Sequence, residues 1–349
     1  MSRGRTRAPT RAGLLLVDKP AGPTSHDVVD WVRWTLQTRQ VGHCGTLDPA
    51  ATGLLVVVVG AATKLASMLT GTDKVYRASI ALGSATTTAD AQGEVTATVA
   101  CPTDLPARVP AALDTLLGES SLPPPAFSAV HIDGTRAHVL ARRGEVVVLP
   151  ERPMHVRHIE DVRVGGCEGE PATVLVEATL AVSKGTYIRS LAEALGDRLG
   201  IPSHLAGLRR IACGARRVDD ARVVGPLTAQ SLGPAPGGKG TRWRIRPEGL
   251  VDADRTEQAS WLASRRLEPW SALPVPVIRL SPSEPAAIAL LTRLGHGQRV
   301  AVDDPGWPTE PACGDAAVVV ETPEDRDDTL IVVDVRDGVV HPRRMVAPP

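Results

Sequence analysis

A glycine-flanked loop carries the residues best suited to chemistry. Residues 42–53 read GHCGTLDPAATG, so three glycines flank one histidine, His43, and one aspartate, Asp48. Glycine adopts backbone conformations that other residues avoid, and it lets a ligand approach closely. The carboxylate comes just before an apolar run at 54–59, and a buried strand there would hold it on a rigid frame. Aspartate before proline is also an ordinary turn former, so the loop alone leaves both interpretations open.

Two later clusters contain groups that could act together with this acid. Residues 183–191 (SKGTYIRSL) lead from a strand end into a helix, which would place Arg189 in the first helical turn. An arginine can hold a carboxylate through two hydrogen bonds and keep it ionised, although an ordinary surface arginine is the alternative. Residues 73–77 (DKVYR) contain Tyr76, one of only two tyrosines in the chain. It fits either a core aromatic or a platform that stacks on a nucleobase.

The elements that must position these clusters alternate between strands and helices. Apolar and alternating runs predict strands at 14–19, 54–59, 76–82, 127–132, 155–164 and 173–182. Helical periodicity and capping residues predict helices at 27–36, 61–69, 110–117, 135–143 and 187–199. The result is a mixed α+β region of about 220 residues.

The pattern changes after this region. Residues 233–240 (GPAPGGKG) indicate a linker. They also mimic a phosphate-binding loop, but Gly240 stands where Ser or Thr should follow the lysine and two prolines interrupt the segment. From residue 273 onward, short apolar runs with turns, a helix at 284–294 and an acidic loop at 323–328 predict a small β-rich domain. Residues 1–12 are typical of a basic, flexible arm.

Composition narrows the class of protein. The 349 residues allow two or three domains, and 43% hydrophobic residues exclude a disordered chain. The 39 basic residues equal the 39 acidic ones, yet residues 183–217 contain seven basic against two acidic side chains. Such a local cluster is an electrostatic footprint for phosphate, although a solvated charged face remains the alternative.

The lengths of the apolar runs and the spacing of the cysteines set expectations for localisation and for cofactors. The longest apolar run, 54–59, is far too short to cross a bilayer, and 14–17 is too short for a signal-peptide core. We therefore expect a cytoplasmic protein. The five cysteines include no pair within 40 residues of each other, so neither a zinc site nor a disulfide framework is indicated. We expect no metal and no cofactor.

Together these clusters resemble the bacterial TruB pseudouridine synthases, over about residues 13–218. The motifs that carry the resemblance are residues 42–53, GAATK at 60–64, KVY at 74–76, PPAFSA at 124–129, residues 183–191 and LRR at 208–210. The family modifies uridine 55 in the TΨC loop of tRNA. The resemblance therefore implies a tRNA substrate, a flipped base, cleavage of the C1′–N1 bond and formation of a C1′–C5 bond with an essential aspartate. It also implies an enzyme that acts without a guide RNA. We further expect a monomer and no membrane partner.

The resemblance also assigns roles to residues that match the family motifs. These are Asp48 as the nucleophile, Tyr76 as the base-stacking aromatic implicated in C5 deprotonation, Arg189 as the partner of the aspartate, Tyr187 and Leu208 as pocket lining, His43 as the residue that helps open the T loop, and Lys19 and Lys64 as basic positions near the RNA. Whether Asp48 attacks the base or the sugar, or removes a sugar proton, stays open. His131 stands where the family usually has Lys, and His138 where it usually has Tyr, which puts local RNA contacts or packing in doubt.

The implied architecture is an α+β fold, with the mixed-sheet core of pseudouridine synthases, flanking helices and a small C-terminal β-rich domain. The predicted divisions are the arm at 1–12, a catalytic domain at 13–232, a linker or insertion of open role at 233–271, and a PUA-like RNA-binding domain at 272–349. The alternatives to a standalone synthase are a non-catalytic RNA chaperone, a hydrolase and a guide-RNA-dependent synthase. A retaining glycosidase needs two carboxylates about 5 Å apart, and the loop offers only Asp48, with Asp73 and Asp90 as unassigned candidates.

Overall fold

The computed structural model describes residues 11–128, 130–132, 134–141, 143–145, 147–165, 173–236, 240–280, 285–304, 307, 314–320 and 329–346. Residues 1–10 of the predicted arm and the predicted acidic loop at 323–328 lie outside these residues. The described part of the chain divides into two compact units. The first unit comprises Met1–Leu47, Leu55–Gly71 and Gly214–Pro349, and the second comprises Asp48–Leu54 and Thr72–Cys213.

Strands outnumber helices in the described residues. The strands are β1 (Gly13–Lys19), β2 (Val41–Cys44), β3 (Thr52–Val59), β4 (Lys74–Leu82), β5 (Ser84–Thr86), β6 (Val95–Thr98), β7 (Gly118–Leu122), β8 (His131–Ile132), β9 (Thr135–Arg136), β10 (Arg152–Val164), β11 (Val174–Val182), β12 (Ser203–Cys213), β13 (Arg216–Arg217), β14 (Leu227–Pro234), β15 (Thr241–Pro247), β16 (Val277–Leu280), β17 (Val300–Ala301), β18 (Gly314–Val320), β19 (Thr329–Arg336) and β20 (Val339–Val346). The helices are α1 (Ser25–Leu36), α2 (Ala66–Thr70), α3 (Leu105–Asp114), α4 (Ala137–Ala141), α5 (Ile188–Leu199), α6 (Arg255–Ser264) and α7 (Pro285–Gly295).

The second unit is built on a sheet whose strands follow the order β12, β4, β11, β10 and β7, all antiparallel. The first residues of β3, Thr52 and Gly53, add a parallel pairing to Arg209 and Arg210 of β12, so the sheet is mixed. Strand β4 alternates buried and less buried residues along its length, as a strand with one face on a core does.

Helix α5 packs closely on the start of β12. A Cβ atom at Gly196 would lie 2.6 Å from the Ile201 carbonyl oxygen, so only glycine allows this approach. The Ser203 hydroxyl donates a 2.8 Å hydrogen bond to the Ala192 carbonyl, and the Ser190 hydroxyl donates a 2.7 Å bond to the Pro123 carbonyl. These contacts at residues 190, 192 and 196 fix the position of α5 against the sheet without any contribution from Arg189.

The N-terminal part of the first unit contains β1, β2, the end of β3 and α1. Helix α1 begins with a capping box, in which the Thr24 side chain accepts from the Asp27 amide and the Asp27 carboxylate accepts from the Thr24 amide. The Ser25 hydroxyl donates to the Leu47 carbonyl at 3.0 Å and accepts from the Leu47 amide at 2.8 Å. These bonds join the start of α1 to the chain just before the predicted acid.

The C-terminal part of the first unit contains a separate five-stranded sheet in the order β16, β18, β19, β20 and β17. Its core is an apolar cluster that includes Leu290 and Leu294 of α7 with Val318, Ile331 and Val333 of the sheet. Burial of each such side chain stabilises the folded state by about 1.5–3 kcal/mol relative to leaving it exposed. The predicted class, α+β with a small C-terminal β-rich part, is confirmed; the predicted domain boundaries stay predictions.

Some local predictions were wrong. Residues 233 and 234, predicted as the start of a linker, instead end β14, which pairs antiparallel with β15 from Leu227 opposite Pro247 to Pro234 opposite Thr241. Residues 237–239, including the lysine of the apparent phosphate-binding loop, lie outside the described residues. The predicted helix at 61–69 is a 3-10 helix, Gly60–Leu65, followed by α2. None of the described helices is long and apolar enough to span a membrane.

Candidate active site

The loop that carries Asp48 is held at its exit by a close backbone contact. The Ala51 amide donates to the Asp48 carbonyl at 3.1 Å, which closes a turn over the aspartate and the following proline. Gly53 has φ +99°, and a Cβ atom there would lie 2.8 Å from the Arg210 amide nitrogen. Glycine is therefore required at this position for both its conformation and its lack of a side chain. This geometry explains the last glycine of the motif.

The side chain of Arg210 also holds the start of β3 in place. Its side chain is among the largest fully buried ones, at 1% exposure, and its Nε donates a 2.7 Å hydrogen bond to the Leu54 carbonyl. Sequence reasoning placed Arg210 in a basic cluster for phosphates, and its burial contradicts that role. Arg216 and Arg217 of that cluster lie near carboxylates, at 3.7 Å from Asp220 and 3.2 Å from Asp219 respectively.

Arg189 lies in the first turn of α5, as predicted, and reaches Asp48. Its Nη2 is 3.0 Å from Asp48 Oδ2. The arginine side chain is 5% exposed, whereas the aspartate side chain is 38% exposed. A guanidinium at this distance favours the carboxylate form of the acid. The second unit thus presents an accessible acid that a buried cation orients.

Further oxygens hold the guanidinium in place. Nη2 also donates to the Phe127 carbonyl at 3.0 Å, and Nη1 donates to the Thr88 carbonyl at 3.2 Å. Asp90 Oδ2 lies 3.9 Å from Nε. The Asp90 side chain is itself fixed, because Oδ1 accepts from the Thr88 hydroxyl at 2.6 Å and from the Gln92 amide at 3.0 Å. Sequence reasoning missed this support, since residues 86–92 look like an ordinary polar turn.

Tyr76 and Leu208 lie on neighbouring strands of the sheet and share a face. In the register of β4 and β12, Tyr76 is opposite Arg210 and Ala78 is opposite Leu208. Opposed residues of an antiparallel pair point to the same face, as do residues two apart on one strand. Tyr76 is 8% exposed, and Leu208 is partly buried. Their placement is compatible with adjoining walls of a pocket.

Tyr187 occupies the N-cap position of α5, two residues before Arg189, without a capping hydrogen bond from its side chain. It packs against an apolar cluster of Val130, Ala137 and Leu149. Burial raises the pKa of its hydroxyl, Arg152 and Arg189 lower it, and Asp48 raises it. Tyr187 therefore lies within electrostatic reach of both members of the ion pair, and its phenol stays neutral and able to donate a hydrogen bond at neutral pH.

The remaining predicted site residues, His43, Lys19 and Lys64, belong to the first unit. His43 lies on β2, opposite Val57 of β3. Lys64 is exposed, and its ammonium donates to the Met345 carbonyl at 3.1 Å. Lys19 is fully buried, and its ammonium donates to the carbonyls of Pro20 at 2.9 Å and Pro23 at 2.8 Å. Lys19 thus supports the turn before α1, and its position near the RNA stays a prediction.

Other binding features are separate from this arrangement. In the part of the chain that the structure describes, no group of three or more His, Cys, Asp or Glu side chains is placed to hold a metal ion. A cavity of about 320 Å³ borders α5, but Ser190, Glu193 and Asp197 line it rather than the predicted site residues. The candidate site is thus a partly exposed carboxyl group beside a buried guanidinium, with the Tyr187 phenol within electrostatic reach of both.

Comparison with known proteins gives this arrangement a class. The crystal structure of a Cbf5-Nop10-Gar1 complex superposes with a TM-score of 0.62 at 23% identity, over 96% of this chain and 85% of that one. The structure of an H/ACA RNP bound to a substrate RNA containing 2′-deoxyuridine gives a TM-score of 0.61 at 22% identity, over 97% and 85% of the two chains. These similarities concern the fold.

Sequence similarity is closer. Residues 33–188 match the N-terminal domain of the TruB family of pseudouridylate synthases. The tRNA pseudouridine synthase B of Corynebacterium jeikeium is 46% identical over 226 residues, which cover 62% of this chain and 71% of the relative. The enzyme of the same name from Rhodococcus jostii is 44% identical over 259 residues, which cover 74% and 83% of the two chains.

The mixed sheet and the sequence relatives are those of a pseudouridine synthase, which is an isomerase. Within that class, the chain belongs to the TruB family.

Proposed function

We propose that this protein converts uridine 55 in the TΨC loop of tRNA to pseudouridine, without a guide RNA. The names of its relatives support the tRNA substrate. The observation that carries the chemistry is the ion pair between Asp48 and Arg189, at 3.0 Å, in which the acid is partly exposed and the cation is buried. An accessible carboxylate held in its charged form is what a covalent or electrostatic role in glycosidic chemistry requires.

The reaction is an isomerisation with no net gain or loss of atoms. The C1′–N1 bond of the uridine breaks and a C1′–C5 bond forms, while C5 gives up its proton and N1 gains one. No electron leaves the substrate, so the chemistry calls for neither an oxidant nor a reductant. Asp48 would attack the base or the sugar, or remove a sugar proton, and Arg189 would keep it ionised in each case.

The detached uracil must turn without escaping, which needs a closed, largely apolar pocket. Tyr76 and Leu208 would form its walls, with the phenol of Tyr76 stacking on the base and serving C5 deprotonation. Tyr187 would close the side nearest the ion pair. The uridine lies inside a folded RNA loop, so the enzyme would flip it out at a cost of a few kcal/mol. His43 would help to open that loop.

RNA affinity would come from sites away from the chemistry. Exposed Lys64 and the PUA-like residues 272–349 would contact phosphates, while buried Lys19 would shape the turn next to them. Such contacts weaken as salt rises, because bound cations are released from the RNA. We expect the enzyme to act as a monomer in the cytoplasm, where its tRNA substrate is found.

The proposal is tested with purified protein and an unmodified tRNA transcript, with no other protein or RNA added. We expect tritium release from C5-labelled tRNA and one pseudouridine, at position 55. A transcript with cytidine at that position is the matched control and should release no tritium above background. A reaction that starts only after a guide RNA is added would replace the standalone function with the guide-dependent alternative.

A further inference from the structure

The hairpin of β14 and β15 presents a row of arginines on one face. Arg242, Arg244 and Arg246 occupy alternate positions of β15, so their side chains point to the same side. The strand register places Thr228 opposite Arg246 and Gln230 opposite Arg244. Uncharged polar side chains therefore complete this surface, which we call the arginine face.

The opposite face of the hairpin is packed, which turns the arginine face outward. Ile245 and Leu227 are buried, at 4% and 7% exposure. A Cβ atom at Gly22 would lie 2.7 Å from the Trp243 ring, so the turn at Gly22 packs directly on the indole. Arg242 and Arg244 are both exposed. The apolar side of β15 is thus packed against the protein, and its charged side faces solvent.

The charge of the arginine face is unbalanced. Residues 226–247 include no aspartate or glutamate. Arg242 donates to the Leu232 carbonyl at 3.2 Å and Arg246 to the Ala253 carbonyl at 3.4 Å, and across the described residues none of the three arginines forms an ion pair. Each guanidinium has five N–H donors, so most of them stay available. Alternate strand positions extend this row of charge over about 13 Å.

An exposed aromatic side chain lies beside the row. Trp34 on α1 is 51% exposed, although large aromatic side chains are usually buried. The Arg246 guanidinium lies 5.8 Å from its ring centroid, within cation–π distance. Cations for phosphates next to an aromatic platform for a base are the two components of a surface that binds an RNA strand.

We propose that the arginine face binds consecutive phosphates of the RNA substrate, with Trp34 stacking on a nucleobase next to them. The inference rests on the proposed function for the identity of the RNA. An RNA strand is the partner that fits, because it supplies a row of negative charges together with exposed bases. The surface would contribute affinity and not chemistry, since phosphate contacts carry positioning energy.

The test compares R242Q/R244Q with R163Q/R222Q, a control that removes two exposed arginines outside the hairpin and outside the basic cluster at 183–217. Kd for an unmodified tRNA transcript is measured from 50 to about 300 mM salt. We expect the hairpin variant to bind on the order of tenfold more weakly, with a slope of log Kd against log salt that is smaller by about two. The rate constant of pseudouridine formation at saturating enzyme should equal that of the wild type, so the weaker binding should appear only as a higher KM.

Two further variants separate charge from stacking. R242K/R244K should keep most of the salt slope, because lysine retains the charge. W34A should bind several-fold more weakly with an unchanged slope, because stacking involves no counterion. A hairpin variant with the Kd and slope of R163Q/R222Q would overturn the proposal, as would a change in self-association with no change in RNA binding. Absence of pseudouridine in wild-type reactions would refute the proposed function alone, because the Kd measurements do not depend on turnover.

Discussion

Replacement of Arg189 by Lys tests how the acid is held. The guanidinium serves Asp48 Oδ2 at 3.0 Å, the Phe127 carbonyl at 3.0 Å and the Thr88 carbonyl at 3.2 Å, with Asp90 Oδ2 at 3.9 Å. A lysine keeps the charge but has one compact ammonium in place of a planar fork of donors. It cannot reach all of these oxygens at once, so about two hydrogen bonds to carbonyls are lost.

Two such bonds are worth about 1 kcal/mol each, so we expect R189K to lower the free energy of unfolding by about 2 kcal/mol. We also expect a loss of about 100-fold or more in the single-turnover rate, because a displaced acid is misaligned with the flipped base. Urea unfolding and tritium release measure the two effects. Arg108→Lys is the matched control. Arg108 lies on α3 and donates at 3.0 Å to the carbonyl of Leu199, at the end of the helix that carries Arg189. This control should lose about 1 kcal/mol with unchanged turnover. An R189K enzyme with wild-type rate and stability would refute this reasoning.

Other predictions follow from single contacts. G53A should lose about 3 kcal/mol or more in urea unfolding, because its Cβ would meet the backbone of Arg210, whereas G118A, with φ +88° and nothing within 4 Å, should lose only the roughly 1–2 kcal/mol of left-handed strain. Y76L should bind tRNA with wild-type Kd in a filter-binding assay yet turn over very slowly, and fast turnover would contradict the role of the phenol. A hydrogen bond from Arg343 lowers the pKa of Asp334 in the folded protein. The ionised Asp334 therefore stabilises the fold above its unfolded pKa of about 4, and this stabilisation is lost as the pH falls below that value through the folded pKa. The difference in unfolding midpoint between wild type and D334N should therefore narrow as pH falls below about 4.

The ion pair of the site was predictable because both of its members lie in long, specific motifs. Asp48 and Arg189 are 141 positions apart in the sequence, so no local pattern pairs them, and the pairing followed from the resemblance to a family. The carbonyls of Thr88 and Phe127, which complete the support of Arg189, leave no signal in residue types. Backbone groups act through position, and that position is set by tertiary packing.

Buried cations were the least predictable residues. Lys19 and Arg210 are almost fully buried and bind backbone carbonyls, although such side chains are seldom buried unless paired. A sequence pattern reports charge but not burial, so Arg210 was interpreted as a phosphate contact, whereas Lys19 was predicted to lie near the RNA only by its resemblance to a family position. The pairing of β14 with β15 was missed for a related reason, since glycine and proline occur in tight turns as well as in linkers.

Replacement of Asp48 by Asn is the most direct test of the central claim, that an accessible, ionised acid performs the isomerisation. Asparagine keeps the size of the side chain and an oxygen that accepts from Arg189, but it carries no charge. We predict a Kd for unmodified tRNA within about threefold of wild type, together with no tritium release from C5-labelled tRNA over many wild-type half-lives. Tritium release by the D48N variant at a rate near that of the wild type would contradict the role assigned to this acid.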